Sequence, residues 1–219
     1  PASHSALRTP HSALRIPHPP ITNNPMRIIL LTLWCLLPVA FAAYHFGPGQ
    51  DQIRLDTTES HLSDARAAAA KEDWPTAIES YAEALAALPK DKVPLSQRIR
   101  LESAKAKMLS KQLPAAREEL ATLVTELDDD QSADPQLRDE ARAILANARY
   151  YMTYLMKLEG LPDAAWEAEI EAARQEYKLL AQTSSDKTLA AQCANDREAA
   201  IRLARTDPAE LYGLPIPSQ

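Results

Sequence analysis

Five prolines, Pro75, Pro94, Pro114, Pro135 and Pro162, stand at the head of long runs rich in Ala, Leu and charged residues, and the first three intervals between them are 19, 20 and 21 residues. A proline inside a helix removes a hydrogen bond and clashes with the preceding turn. In the first turn it costs nothing, because the N–H it lacks had no partner there. An interval of this length holds a helix of about 15 residues plus a short turn. Only 4 residues of the 219 are Gly, and β-branched or aromatic runs are scarce, so little competes with helix. Asp73 and Asp134, just ahead of two of the prolines, suit the N-cap role. The spacing predicts helices over 57–71, 75–88, 95–111, 114–127, 135–158, 162–182 and 185–205, with Asp207-Pro208 stopping the last.

A shift of 39 residues lays Lys71–Leu85 on Ser110–Val124, and Trp74 then meets Leu113, Pro75 meets Pro114, Ala77 meets Ala116, Tyr81 meets Leu120 and Ala84 meets Leu123. In the preceding helix Leu62 meets Leu101 and Ala65 meets Ala104. A further shift of 44 brings Leu145, Ala148 and Met152 onto Leu101, Ala104 and Met108. Large residues recur where helices touch and small ones where they approach closely, which is the signature of stacked helix hairpins.

The segment 64–89 resembles a tetratricopeptide repeat. It has a small residue midway along its first helix (Ala65) and a polar turn leading to an aromatic (Glu72-Asp73-Trp74), followed by Ala77, Tyr81, Ala84 and a closing Pro89. Ala68 stands where the family has a large residue, Glu72 where it has glycine, and the spacing exceeds the family's ~34 residues. The second copy matches moderately and the third only in its first helix, so the likeness covers about residues 57–182. It implies an all-α fold: antiparallel hairpins in a short α-solenoid of about seven helices, with a separate N-terminal apolar helix. A closed helical bundle is the alternative.

The resemblance also implies a concave groove lined by first helices, which puts Arg66, Lys105 and Arg149 at one recurring place, with Arg98 and Arg142 one turn earlier. Together they are expected to clamp acidic groups of a protein or peptide partner; the competing reading pairs them with acids nearby, such as Glu102 beside Lys105 and Glu140 near Arg142. In 148–160, Tyr151, Met152, Leu155 and Leu158 fit one stripe and read most simply as core. Tyr150 and Tyr154, on a flanking face, either cover the next hairpin through Trp166 and Ile170 or offer a contact surface.

Residues 1–43 differ from the rest. Residues 1–25 hold the tandem heptapeptides HSALRTP and HSALRIP, a tract expected to be disordered and to precede a true start at Met26. Residues 26–46 read as an export signal or membrane anchor: Arg27 precedes an uncharged run from Ile28 to Phe46. Ala40-Phe41-Ala42 permits cleavage after Ala42, while retention makes residues 28–46 a short span. Trp34 ahead of Cys35 disfavours a lipoprotein signal. The expected division then runs 47–56 linker, 57–206 helical domain and 207–219 tail, with an exported location, periplasmic or anchored in an inner membrane facing the periplasm.

Three of the 24 basic residues lie in 1–43, which has no acid, leaving 21 basic against 30 acidic residues beyond it. That balance, without a basic cluster, speaks against nucleic acid. His61 is the one histidine of the expected folded part, and no metal-spaced Cys/His set or Gly-rich phosphate loop is present. Asp128-Asp129-Asp130 reads as a hairpin connection, and Cys193 as a small buried residue. The expectation is a non-catalytic adaptor without cofactor or metal, with a helical-bundle subunit of a permanent complex as second reading and a helical enzyme or ligand binder as third.

Overall fold

The structure, a computed structural model, describes residues 25–46 and 48–211 and divides into two units, 1–49 and 50–219. The heptapeptide tract and the last eight residues of the expected tail lie outside the described residues.

In the first unit α1 spans Pro25–Phe46. It is apolar on every side: Leu30, Leu33, Trp34, Leu37 and Phe41 are all exposed. Thr32 turns its hydroxyl back onto the Ile28 and Ile29 carbonyls at 3.1 and 2.9 Å, so its one polar group is satisfied within the helix. Pro38 sits inside without ending it. Among the described residues this is one helix long and apolar enough to cross a membrane, by length and composition.

The second unit is helical, with no strand among its described residues. The helices are α2 (Pro48–Ala69), α3 (Trp74–Ala87), α4 (Val93–Leu109), α5 (Leu113–Asp129), α6 (Pro135–Leu158), α7 (Asp163–Thr183) and α8 (Lys187–Arg205), then a 3₁₀ turn at Pro208–Glu210. The residues expected to form a linker, 47–56, are one correction: from Pro48 onward they belong to α2. Pro48 suits a first helical position and Asp51 lies in the first turn, where a carboxylate favours the helix dipole. Asp73 caps α3 by accepting from the Thr76 N–H, and Asp134 caps α6 by accepting from the Gln136 N–H.

Each hairpin turns in the same way. Glu72 and Lys111, 39 residues apart, adopt left-handed backbone at φ 58° and 66°, and Gly160 does so at φ 72°. The following N–H then reaches back five residues: Asp73 to the Ala68 carbonyl at 3.0 Å, Gln112 to Lys107 at 2.9 Å and Leu161 to Met156 at 3.0 Å. This is the Schellman closure, which satisfies carbonyls a helix end leaves bare.

From α3 to α8 each helix packs on its chain neighbour, and α4 and α8 also each touch α6. The core follows that order in three clusters: one joins α2, α3 and α4 around Leu62, Tyr81 and Ile99, one joins α4, α5 and α6 around Leu101, Leu120 and Leu123, and one joins α6, α7 and α8 around Tyr150, Trp166 and Tyr177. Ala65, Ala104 and Ala148, matched by the repeat, are fully buried. A core handed on from hairpin to hairpin is what stacking predicts. Leu211, at the start of the expected tail, is fully buried in the last cluster.

Candidate partner-binding groove

Helix α6 touches both α4 and α8, and a cleft opens along each of those contacts. Between α4 and α6 lies a cleft of about 420 Å³ lined by Lys105, Met108, Leu109, Glu140, Ile144, Asn147 and Tyr151. Between α6 and α8 lies one of about 360 Å³ whose lining includes Asp139, Glu140, Ile144, Asn147, Asp186 and Asp196. Glu140, Ile144 and Asn147 face both, so the clefts are two stretches of one groove with α6 as its ridge. Along α6 the facing positions run 140, 144, 147 and 151, the i, i+4, i+7, i+11 stripe of one helical face.

The floor is fixed by buried polar contacts. Tyr177, fully buried on α7, donates its hydroxyl to Asn147 Oδ1 at 2.7 Å, which holds the Asn147 side chain. Asp196 is only 7% exposed on α8. Burial, together with the negative charges of Asp196 and Asp139, pushes the Cys193 thiol up to about 12. Burial first, then neighbouring Tyr151 and Tyr154, pushes the Tyr150 hydroxyl up to about 12 as well. A buried thiol and phenol in a field of carboxylates stay neutral.

The basic residues expected to form the clamp are all engaged by carboxylates. Arg66 bonds Glu59 on its own helix at 3.2 Å. Arg98 lies 3.6 Å from Asp134 and from Glu140, and Lys105 bridges Glu102 at 3.0 Å and Glu140 at 2.6 Å. Hydrogen bonds to those two acids hold the Lys105 ammonium above its ordinary value, although burial opposes this most strongly. Arg142 joins Asp128 of α5 at 2.6 Å to Glu176 of α7 at 2.8 Å. Arg149 is 3.8 Å from Glu169 of α7, a carboxylate also bonded by Arg117 of α5.

The five cations therefore do not gather on one face. Lys105 alone lines the groove, and Arg142 and Arg149 are turned toward α5 and α7. The reason is reach: Arg98, Arg142 and Arg149 find carboxylates on or at the start of an adjoining helix, and Arg66 finds one on its own. Glu140, expected beside Arg142, serves Lys105 and Arg98 instead.

The aromatic segment is also rearranged. Tyr150 is 2% exposed and packs in the cluster of Trp166 and Ile170, so it covers the next hairpin and takes no part in the groove; Tyr154 is half-buried against the same cluster. Leu155 and Leu158, read as core, are 45% and 40% exposed. Under the register that matches Leu101 with Leu145, the last residue of α4, Leu109, matches Thr153, so the end of α6 runs past its neighbour and its leucines are left uncovered. Tyr151, from the expected core stripe, lines the groove. Ile144, Asn147 and Asp139 were missed at the sequence level; the 140-144-147-151 spacing was the available signal.

Elsewhere, Asp128-Asp129-Asp130, expected as a hairpin connection, is mostly helix: Asp128 and Asp129 end α5 and Asp130 is its C-cap. Asp128 pairs with Arg142, and Asp130 accepts from the Ser132 N–H and hydroxyl at 2.8 and 2.7 Å, bonds that hold the Asp130 carboxyl below the usual range. His61 Nδ1 lies 3.0 Å from Glu83. Comparison with protein-family models, with curated proteins and with solved structures returns no match.

Proposed function

We propose that this chain is a non-catalytic adaptor of tetratricopeptide-like helical hairpins, exported or anchored through α1, that receives a segment of a partner protein in the cell envelope. The observation that supports it best is the groove: two open clefts, joined along α6, where that helix meets α4 and α8. Such a surface suits an extended or helical segment better than a small molecule, which favours an enclosed pocket. Helix α1 supports the location, because an exposed apolar helix is at home in a bilayer or an export channel.

A photo-crosslinking residue at Ile144, in the groove, should capture a discrete partner in native envelopes, while the same residue at exposed Lys178 on α7 should not. Equal capture from both positions, or none from Ile144, overturns the adaptor reading. A second reading, a subunit of a permanent complex, draws on the exposed Leu155, Leu158 and Leu161. It predicts aggregation of the isolated chain that Leu→Ser substitution at those sites relieves.

A further inference from the structure

The groove differs in chemistry along its length. The cleft between α6 and α8 is lined by four acids, Asp139, Glu140, Asp186 and Asp196, and by no Lys, Arg or His. Glu140 is neutralised by Lys105 and Arg98, and Asp186 is occupied in capping α8 through the Thr188 and Leu189 N–H groups. Half-buried Asp139 makes no hydrogen bond or ion pair of its own among the described residues, yet its charge reaches the Cys193 thiol. In the other direction the walls turn apolar. Met108 and Leu109 of α4 face Ile144 and Tyr151 of α6, and one and two turns further along that face of α6 come exposed Leu155 and Leu158.

We infer that the groove takes an amphipathic peptide segment with basic side chains over Asp139 and the N-terminal half of α8, and apolar side chains over Tyr151, Leu155 and Leu158. This rests on the adaptor reading and adds the chemistry of the partner. Charge complementarity selects the sign. Lys105, the one cation in either lining, already spends its bonds on Glu102 and Glu140, so an acidic partner finds no cation to spare there and meets Asp139. A basic partner relieves that charge in a cleft that screens it poorly. The leucines select the other half, since an apolar stripe beside a groove is covered by apolar side chains at helical spacing.

The test uses the full chain in lipid nanodiscs and fluorescence anisotropy of three labelled twelve-residue peptides: three lysines followed by a Leu/Ala half, the same peptide with glutamates for lysines, and the lysine peptide with a Gly/Ser half. The first should bind at least about tenfold more tightly than either other. Asp139→Asn and Leu158→Glu should each weaken it by about fivefold or more, with Lys178→Glu unchanged and far-UV circular dichroism confirming that each variant is folded. Tighter binding of the glutamate peptide overturns the inference. If Asn147→Arg abolishes that binding, the groove still binds peptides and the adaptor reading stands. Lysine-peptide binding that ignores Asp139→Asn and Leu158→Glu overturns the inference as general attraction to an acidic chain. Failure of all three peptides overturns it too, and the Ile144 crosslink then decides the adaptor reading alone.

Discussion

The first hairpin and the last are laid out on one register and filled with different material. Around α2 and α3 the packing is mostly small: Ala65, Ala68, Ala77 and Ala84 are buried, with Leu62, Tyr81 and Leu88 as the large residues. Around α6, α7 and α8 the core holds Tyr150, Trp166 and Tyr177. Interleaved with them are buried polar groups, Asn147, Thr153, Lys157 and Asp196. Alanines let helices approach and set the spacing of the stack. Aromatics and buried polar groups fix one particular arrangement, because each such group must find a partner or cost stability. The repeat supplies the frame, and the departures from it supply the groove.

The largest contrast lies between two tryptophans. Trp166 is buried in the last cluster with the Lys157 ammonium 4.1 Å over its ring, while Trp74 is only partly buried at the start of α3. Trp166→Ala should cost about 3–5 kcal/mol in urea unfolding, and Trp74→Ala at most about half as much. Equal costs would break the claim that the two ends of the stack are packed differently.

Lys157 sharpens it. The side chain is 4% exposed, and its ammonium donates to the Leu203 and Ala204 carbonyls at 3.0 and 3.3 Å. Those carbonyls belong to the last turn of α8 and have no helical partner, so a residue of α6 caps α8. Lys157→Ala should cost about 2–3 kcal/mol, since it strips both carbonyls and opens a gap over Trp166. Desolvation holds the Lys157 ammonium below its ordinary 10.5, against the pull of Asp163 and Asp207. The unfolded chain then binds this proton more readily, so the contribution to stability rises with pH from the lowered value up to 10.5. Lys157→Met should remove that rise from the pH profile of the melting temperature; an unchanged profile would refute the assignment.

Most of this frame was legible in the chain and part of the groove was not. Prolines at helix starts, caps at Asp73 and Asp134, and the large/small matches at Leu62, Leu101 and Leu145 are local or periodic signals, and each has its counterpart in the structure. Which carboxylate an arginine meets is not local. Arg142 reaches Asp128 and Glu176 across two other helices, and no spacing within α6 announces that. The exposure of Leu155 and Leu158 likewise depends on the length of α4, not on their own periodicity.

The turns test the repeat from its weakest residues. Glu72 and Lys111 hold left-handed backbone, which a side chain with a Cβ adopts at a cost of about 1–2 kcal/mol, while Gly160 at the third turn adopts it freely. Glu72→Gly and Lys111→Gly should each raise stability by about 1 kcal/mol, and Gly160→Ala should lower it by a similar amount. A Cβ on Gly160 would meet nothing within 4 Å, so that loss would come from the backbone alone. If the glycine variants of the first two turns are neutral, the three turns are not equivalent.

The smallest effect separates the two thiols, one in each unit. Cys35 is exposed on α1 and Cys193 is buried on the inner face of α8. Reaction with a disulfide reagent requires thiolate, and burial beside Asp196 and Asp139 pushes the Cys193 thiol from 9.0 up to about 12. At pH 8 a Cys35→Ser chain, whose remaining thiol is Cys193, should therefore react only in denaturant. Because the folded value lies above the unfolded one, stability is complete below pH 9.0 and drains away as pH climbs toward about 12. Cys193→Ala should lessen this alkaline loss by under about 1 kcal/mol at pH 9.5, leaving Tyr150 and Tyr177, also raised by burial from 10.0, to govern it at higher pH. A Cys193 that reacts as fast in the native chain as in denaturant would mean that α8 does not seal the last cluster, and the contrast between the two ends of the stack would lose its physical basis.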